Sequence, residues 1–209
     1  MRRTKEEAAL TRHQILSAAL SVFSAKGYSA ATLEDIAQAA GVTRGAIYWH
    51  FEDKAGLYNS LMQDYSARGA EIAQGAIDQG GSLIAILQRV FVDLLHAVES
   101  EDSLRAMMEL QLFKTELTEE LLPGRQLQVQ AGQALIASIA AALQQGVEKG
   151  ILRADLEPYD MARAFMALQN GTIQLWLMDQ DAFSLSRVAE PLAKIYLDGI
   201  VPAGQETRA

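Results

Sequence analysis

The stretch from Thr32 to Phe51 constrains this chain more than any other. Two short helical patterns flank a single glycine. Ile36, Ala37 and Ala40 give the first an apolar face, and Gly41 stands where a helix stops in a left-handed conformation that costs glycine no Cβ clash. Thr43 suits the N-cap of the second, which turns Ile47 and Phe51 inward. Tyr48, Trp49 and His50 then stand together on one short helix, and not all three can be buried. The pattern is that of a helix-turn-helix, whose second helix lies in the major groove of DNA.

The rest of the chain reads as helix without strand, hence an all-α fold. Arg2-Arg3-Thr4-Lys5 form a basic arm, and Thr4 with Glu7 suggests a capping box. The helix that follows buries Ile15, Leu16, Ala19, Leu20, Val22 and Phe23 and stops at Gly27. Thr32 with Asp35 opens the second helix and Thr43 the third. Lys54 to Asp78 is one long helix with Leu57, Leu61, Met62, Tyr65 and Ile72 on its inner side. Gly80-Gly81 breaks it, and Ser82 caps a helix over 83–99. Asp102 or Ser103 opens the next, through Met107, Met108, Leu112 and Phe113. Pro123-Gly124 is expected to break the chain before a helix over Arg125–Lys149, closed by Gly150. Pro158 suits the first turn of a helix to Asp179, and a last helix over Leu185–Asp198 precedes a polar tail. These breaks predict a DNA-binding domain with its arm at 1–53, a ligand-binding and dimerisation domain at 54–200, and a flexible tail at 201–209.

The net charge of −8 argues against nucleic acid if taken whole, because phosphate neutralisation needs lysine and arginine. It is unevenly placed, however. Residues 1–60 carry 7 Lys/Arg against 6 Asp/Glu, and residues 61–209 carry 11 against 20. A near-neutral head on an acidic body fits a head that reads DNA and a body that stays off it. The absence of cysteine excludes disulfides, thiolate metal sites and thiol chemistry. No basic segment followed by an apolar one opens the chain, and the longest apolar run, Ala134 to Leu143, is far short of the roughly 20 residues that span a bilayer. A bacterial cytosolic location without membrane contact is expected. Catalysis is not expected. The histidines are His13, His50 and His96, and there is no H-E-x-x-H, phosphate-binding loop or nucleophile elbow. Neither a metal nor a cofactor is expected.

Beyond a generic helix-turn-helix, Thr11-Arg12, Ile15-Leu16, Ala18-Ala19, Phe23, Gly27-Tyr28 and the run from Thr32 to Leu57 resemble the N-terminal domain of TetR-family repressors. The opening Arg2 to Glu7 further resembles the AcrR-like repressors of multidrug efflux pumps. The resemblance implies a two-domain, nine-helix homodimer that a small ligand releases from operator DNA. A ligand-independent DNA-binding regulator or activator of the same fold is the alternative.

Candidate DNA contacts follow. Thr43 and Arg44 open the recognition helix, where N–H groups and the helix dipole favour phosphate, and Arg44 also suits guanine O6 and N7. Thr43 serves equally as a cap. Gly45 and Ala46 let the backbone sink into the groove, or else ease packing between the two short helices. The resemblance implies phosphate contacts for Tyr48, His50 and Lys54. Trp49 either joins them or packs on the first helix, and Thr32 is a further phosphate candidate.

The body is rich in soft and aromatic side chains that suit either a core or a pocket for a hydrophobic or aromatic effector. Candidate ligand residues are Phe91, Leu95, His96, Met107, Met108, Gln111, Leu112, Phe113, Gln169, Asn170, Ile173 and Trp176. Phe165, Leu168, Val188, Leu192, Ile195 and Tyr196 form apolar stripes on the last two helices that suit a two-fold dimer interface, with packing inside one chain as the rival reading.

Overall fold

A computed structural model describes residues 5–202, so the arm at 2–4, the cap assigned to Thr4 and the tail from 203 lie outside the described residues. Among the described residues the chain forms nine α-helices and no strand. They are α1 (Lys5–Ala30), α2 (Leu33–Ala40), α3 (Arg44–His50), α4 (Lys54–Asp78), α5 (Leu83–Ser100), α6 (Asp102–Phe113), α7 (Leu122–Glu148), α8 (Pro158–Met178) and α9 (Leu185–Ile200), with a single 3-10 turn at Glu119–Leu121.

The helices sort into two compact units. One holds the described residues up to Arg68 together with Asp102–Gln126, and the other holds Gly69–Glu101 and the described residues from Leu127 onward. Packing thus draws the line elsewhere than the 53/54 boundary read from chain order. The first turns of α4, all of α6 and the start of α7 belong with the helix-turn-helix.

In the first unit the amphipathic face of α1 buries Ile15, Leu16, Ala19 and Phe23 against α2 and α6. Gly27, at φ 76°, interrupts the helical path inside α1, and a Cβ there would sit 3.3 Å from the Lys114 carbonyl oxygen. Glycine supplies both the dihedral and the clearance. Past this kink the rings of Phe23, Tyr28 and Tyr58 stack edge to face or tilted, with centroids 5.2–6.2 Å apart. Leu110 from α6 and Leu121 from the 3-10 turn complete the same core. Burying them ties the 102–126 segment to the head.

One expected break is corrected. Pro123-Gly124 does not precede α7 but lies inside its first turn, after the start at Leu122. A proline there removes an N–H that has no helical acceptor, so the helix tolerates it.

In the second unit α5 packs on α8 and α9. Phe91, Leu95, Phe165, Ile173, Trp176 and Tyr196 form its core, with Phe165 set between Phe91 (5.7 Å) and Tyr196 (5.3 Å). Both ends of α9 are tied down. The Glu99 carboxylate on α5 accepts the N–H groups of Leu185 (3.0 Å) and Ser186 (2.9 Å) and the Ser186 hydroxyl. At the other end the Arg153 N–H and guanidinium donate to the carbonyls of Ile200 (2.9 Å) and Gly199 (3.1 Å). Val201, expected in the flexible tail, is nearly buried and continues the packed unit. No helix among the described residues is long and apolar enough to cross a membrane.

Candidate nucleic-acid interface

The two short helices are built as the caps require. The Thr32 side chain accepts the Asp35 N–H while Asp35 accepts the Thr32 N–H, both at 3.1 Å, which closes a reciprocal capping box at the start of α2. Lys26 pairs with Asp35 at 2.8 Å. That lysine, then the Thr32 bonds, hold the Asp35 carboxyl below its ordinary range. Gly41 ends α2 at φ 64°, ψ 30°, the left-handed cap expected of it. Thr43 then caps α3 by accepting the Ala46 N–H at 3.2 Å. Ile47, fully buried, and Phe51 anchor α3 from beneath. The anchoring leaves the opposite face free.

That face carries the proposed contacts. Thr43, Arg44, Gly45 and Tyr48 are exposed, Ala46 is half-buried, and Trp49 is 72% exposed. Trp49 therefore does not pack on α1. Its ring meets the half-buried His50 edge to face at 4.5 Å. The Arg44 guanidinium donates to the Tyr48 hydroxyl at 3.0 Å, and its central carbon lies over the Tyr48 ring, 5.5 Å from the centroid. At Gly45 a Cβ would meet only the Thr43 hydroxyl oxygen, at 3.8 Å. Packing inside the head makes no demand for glycine there, which favours close approach by something outside the chain.

Lys54 opens α4, as expected, and also bonds within the head. Its ammonium donates to the carbonyls of Tyr28 (3.1 Å), Ser29 (3.4 Å) and Ala31 (3.2 Å) and lies 4.4 Å from the Tyr28 ring centroid. These carbonyls close the end of α1, where helical acceptors have no helical donors left. The ammonium that the resemblance sets on a phosphate is bonded here to the end of α1. Arg12, part of the Thr11-Arg12 pair that carries the resemblance but not named as a DNA contact, stands over the Phe51 ring at 5.4 Å, where α1 meets the end of α3. Its position in a Thr-Arg pair on an α1 turn was visible, but nothing local linked it to Phe51.

The candidate ligand residues are divided between the two units. Met107, Met108, Gln111, Leu112 and Phe113 lie in the first unit, and Phe91, Leu95, His96, Gln169, Asn170, Ile173 and Trp176 lie in the second. Phe91, Leu95, Ile173 and Trp176 are buried core there, and His96 and Asn170 are exposed. Gln169 is a satisfied core amide, donating to the carbonyls of Val90 (3.3 Å) and Phe91 (3.5 Å). Met108 is buried, whereas Leu112 and Phe113 are exposed.

The dimer stripes need a similar correction. Phe165 and Tyr196 face their own chain, and the Tyr196 hydroxyl donates to the Met161 carbonyl at 2.8 Å. Leu168, Val188 and Leu192 are half-buried, while Ile195 is 66% exposed. Leu175 and Met178, missed among the stripe residues, are as exposed as Ile195.

Residues 15–61 match the model of bacterial regulatory proteins of the tetR family, and residues 83–201 match the C-terminal region of MAATS-type transcriptional repressors. The HTH-type transcriptional regulator TtgR of Pseudomonas putida is 37% identical over 191 residues, spanning 88% of this chain and 89% of that protein. Among solved structures, NalD, the secondary repressor of the MexAB-OprM multidrug efflux pump in Pseudomonas aeruginosa, superposes with a TM-score of 0.84. It is 29% identical, over 95% of this chain and 100% of its own. SmeT, the repressor of the Stenotrophomonas maltophilia multidrug efflux pump SmeDEF, in its complex with triclosan, superposes with a TM-score of 0.80 at 25% identity over 93% of each chain.

Proposed function

Given that this chain belongs to the TetR family of bacterial regulatory proteins and is a DNA-binding transcriptional regulator, we propose that it is a homodimeric repressor released from its operator by a small hydrophobic or aromatic compound. On this reading it controls an efflux pump or other transporter gene from the bacterial cytosol. The observation that carries the DNA side is the outward face of α3. Arg44 and Tyr48 are joined and exposed, Trp49 stands clear of the fold, and the space over Gly45 is open. Arg44 reads a guanine edge, Ala46 meets a thymine methyl, and Thr32, Thr43, Tyr48 and His50 hold phosphates on either side.

The effector class is supported by the relatives: NalD and SmeT repress multidrug efflux pumps, and SmeT was solved with triclosan, a chlorinated aromatic phenol. Release is a population shift. A compound that binds the DNA-incompetent arrangement more tightly lowers operator affinity by at most that difference. Helix α4 starts three residues after Phe51 and runs unbroken from Lys54 to Asp78, passing from the first unit into the second; on this reading a tilt of α4 carries the head with it.

The test is fluorescence anisotropy on a duplex from upstream of the protein's own gene, against scrambled duplex, with and without triclosan and a panel of apolar drugs. Specific binding relieved by a compound is the expected result. Specific binding that no compound relieves would leave a ligand-independent regulator, and equal affinity for both duplexes would overturn the operator reading.

A further inference from the structure

Tyr28 holds together a part of the head that lies outside the helix-turn-helix motif. Its ring is fully buried between Phe23 and Tyr58, yet its hydroxyl donates to the Glu120 carboxylate at 2.8 Å, 92 residues away along the chain. Its N–H donates to the Lys114 carbonyl at 2.9 Å, and its own carbonyl accepts from Lys54. Lys114 in turn donates through its ammonium to the Ser24 carbonyl at 3.0 Å. All of these bonds land on residues 24–31, the kinked end of α1 that feeds directly into Thr32, the N-cap of α2. Segment 114–121 therefore works as a strap across the entrance to the motif.

The strap's hydrogen bond to a fully buried side chain is that between Tyr28 and Glu120. A phenol donating to a carboxylate makes a stronger bond than a neutral pair. Burial first, and then Glu120, push the Tyr28 hydroxyl far above its ordinary titration range, so it keeps its proton and remains a donor. We propose that Glu120, acting through Tyr28, is a positioning residue for operator binding, holding the α1–α2 turn so that Thr32 and the recognition helix meet the duplex together. The role requires no contact of either residue with DNA. Without the bond the turn is held less tightly and fewer heads occupy the competent arrangement, and apparent affinity falls by that fraction.

The inference rests on the operator-binding reading, and the experiment separates the two. Full-length wild type, Glu120→Leu, Glu120→Gln, Tyr28→Phe and the Glu120→Leu/Tyr28→Phe double variant are titrated onto the upstream duplex and onto scrambled duplex. The temperature is one at which circular dichroism shows every variant folded. Each of Glu120→Leu and Tyr28→Phe is expected to weaken operator binding about tenfold, with the double variant no weaker than the worse single. Glu120→Gln, whose amide oxygen still accepts the phenol proton, restores most of the affinity. The dependence on salt stays that of wild type, because no phosphate contact is removed. Wild-type affinity in both single variants, with only a lowered melting temperature, would overturn the positioning role, and so would additive losses or a flattened salt slope. Wild type that fails to distinguish the two duplexes would instead overturn the operator reading itself.

Discussion

At Gly45 the head contains nothing within ordinary contact range except the Thr43 hydroxyl oxygen, so a methyl group there fits without strain. Glycine in a helix interior costs roughly 0.5–1 kcal/mol relative to alanine. Gly45 is the second residue of α3, so Gly45→Ala is expected to stabilise the protein by no more than the lower end of that range, about 0.5 kcal/mol, and still to weaken operator binding, because the added methyl keeps α3 out of the groove. Thermal melts and anisotropy on the same sample check both halves, and an unchanged affinity would remove Gly45 from the interface. Lys54 makes the opposite kind of case. Its three carbonyl partners lose their donor in Lys54→Met, which is expected to lower stability by about 1–3 kcal/mol. The slope of log affinity against log salt should stay at the wild-type value. A slope flattened by about one would return Lys54 to the phosphates.

Among the elements, Glu99 shows how one helix supports another. Its carboxylate on α5 supplies the acceptors that the first N–H groups of α9 need, and it adds negative charge where the helix dipole favours it. Desolvation raises its titration point, but the hydroxyl and N–H of Ser186 and the bonds from Ser184 and Leu185 outweigh that, and the net shift is downward. A carboxyl with a depressed native value contributes stability that is fully present above its unfolded value, near 4.3, and is lost as pH falls through the lower native one. Glu99→Ala is expected to cost about 1–2 kcal/mol at neutral pH and almost nothing in strong acid, read from denaturation curves at several pH values. A loss independent of pH would show that packing, not the cap, is what matters at this position. The helices themselves were legible because each signal is local: Thr32 with Asp35, Gly41, Thr43, Ser82 and Pro158 sit within a turn of the ends they set. Pro123-Gly124 misled for the same reason. Proline signals a break and a first turn alike, and only Leu121 packing into the head core decides between them.

On the scale of the whole molecule, the sequence could not show which chain an apolar stripe faces. A leucine or phenylalanine at helical spacing buries the same area against its own fold or against a second copy, so Phe165 and Tyr196 read like Ile195 until their neighbours were known. The strap from Glu120 to Tyr28 was hidden for a related reason, since no pattern links residues 92 positions apart. With the core residues removed from the stripe, Leu175 and Met178 on α8 and Ile195 on α9 remain exposed, flanked by the half-buried Leu168, Val188 and Leu192. If these residues meet their symmetry mates, the dimer sets two recognition helices on successive major-groove faces of a palindrome, about 34–36 Å apart. Ile195→Glu places a charge in that contact and leaves the chain's own core untouched, because the side chain is directed to solvent within its own fold. It should therefore convert a micromolar dimer to monomer in sedimentation velocity without loss of helicity. Operator affinity should fall with it, and the preference for a palindrome over an isolated half-site should disappear, because one head has only one set of contacts to offer. A variant that remains dimeric would place the two-fold interface on another surface.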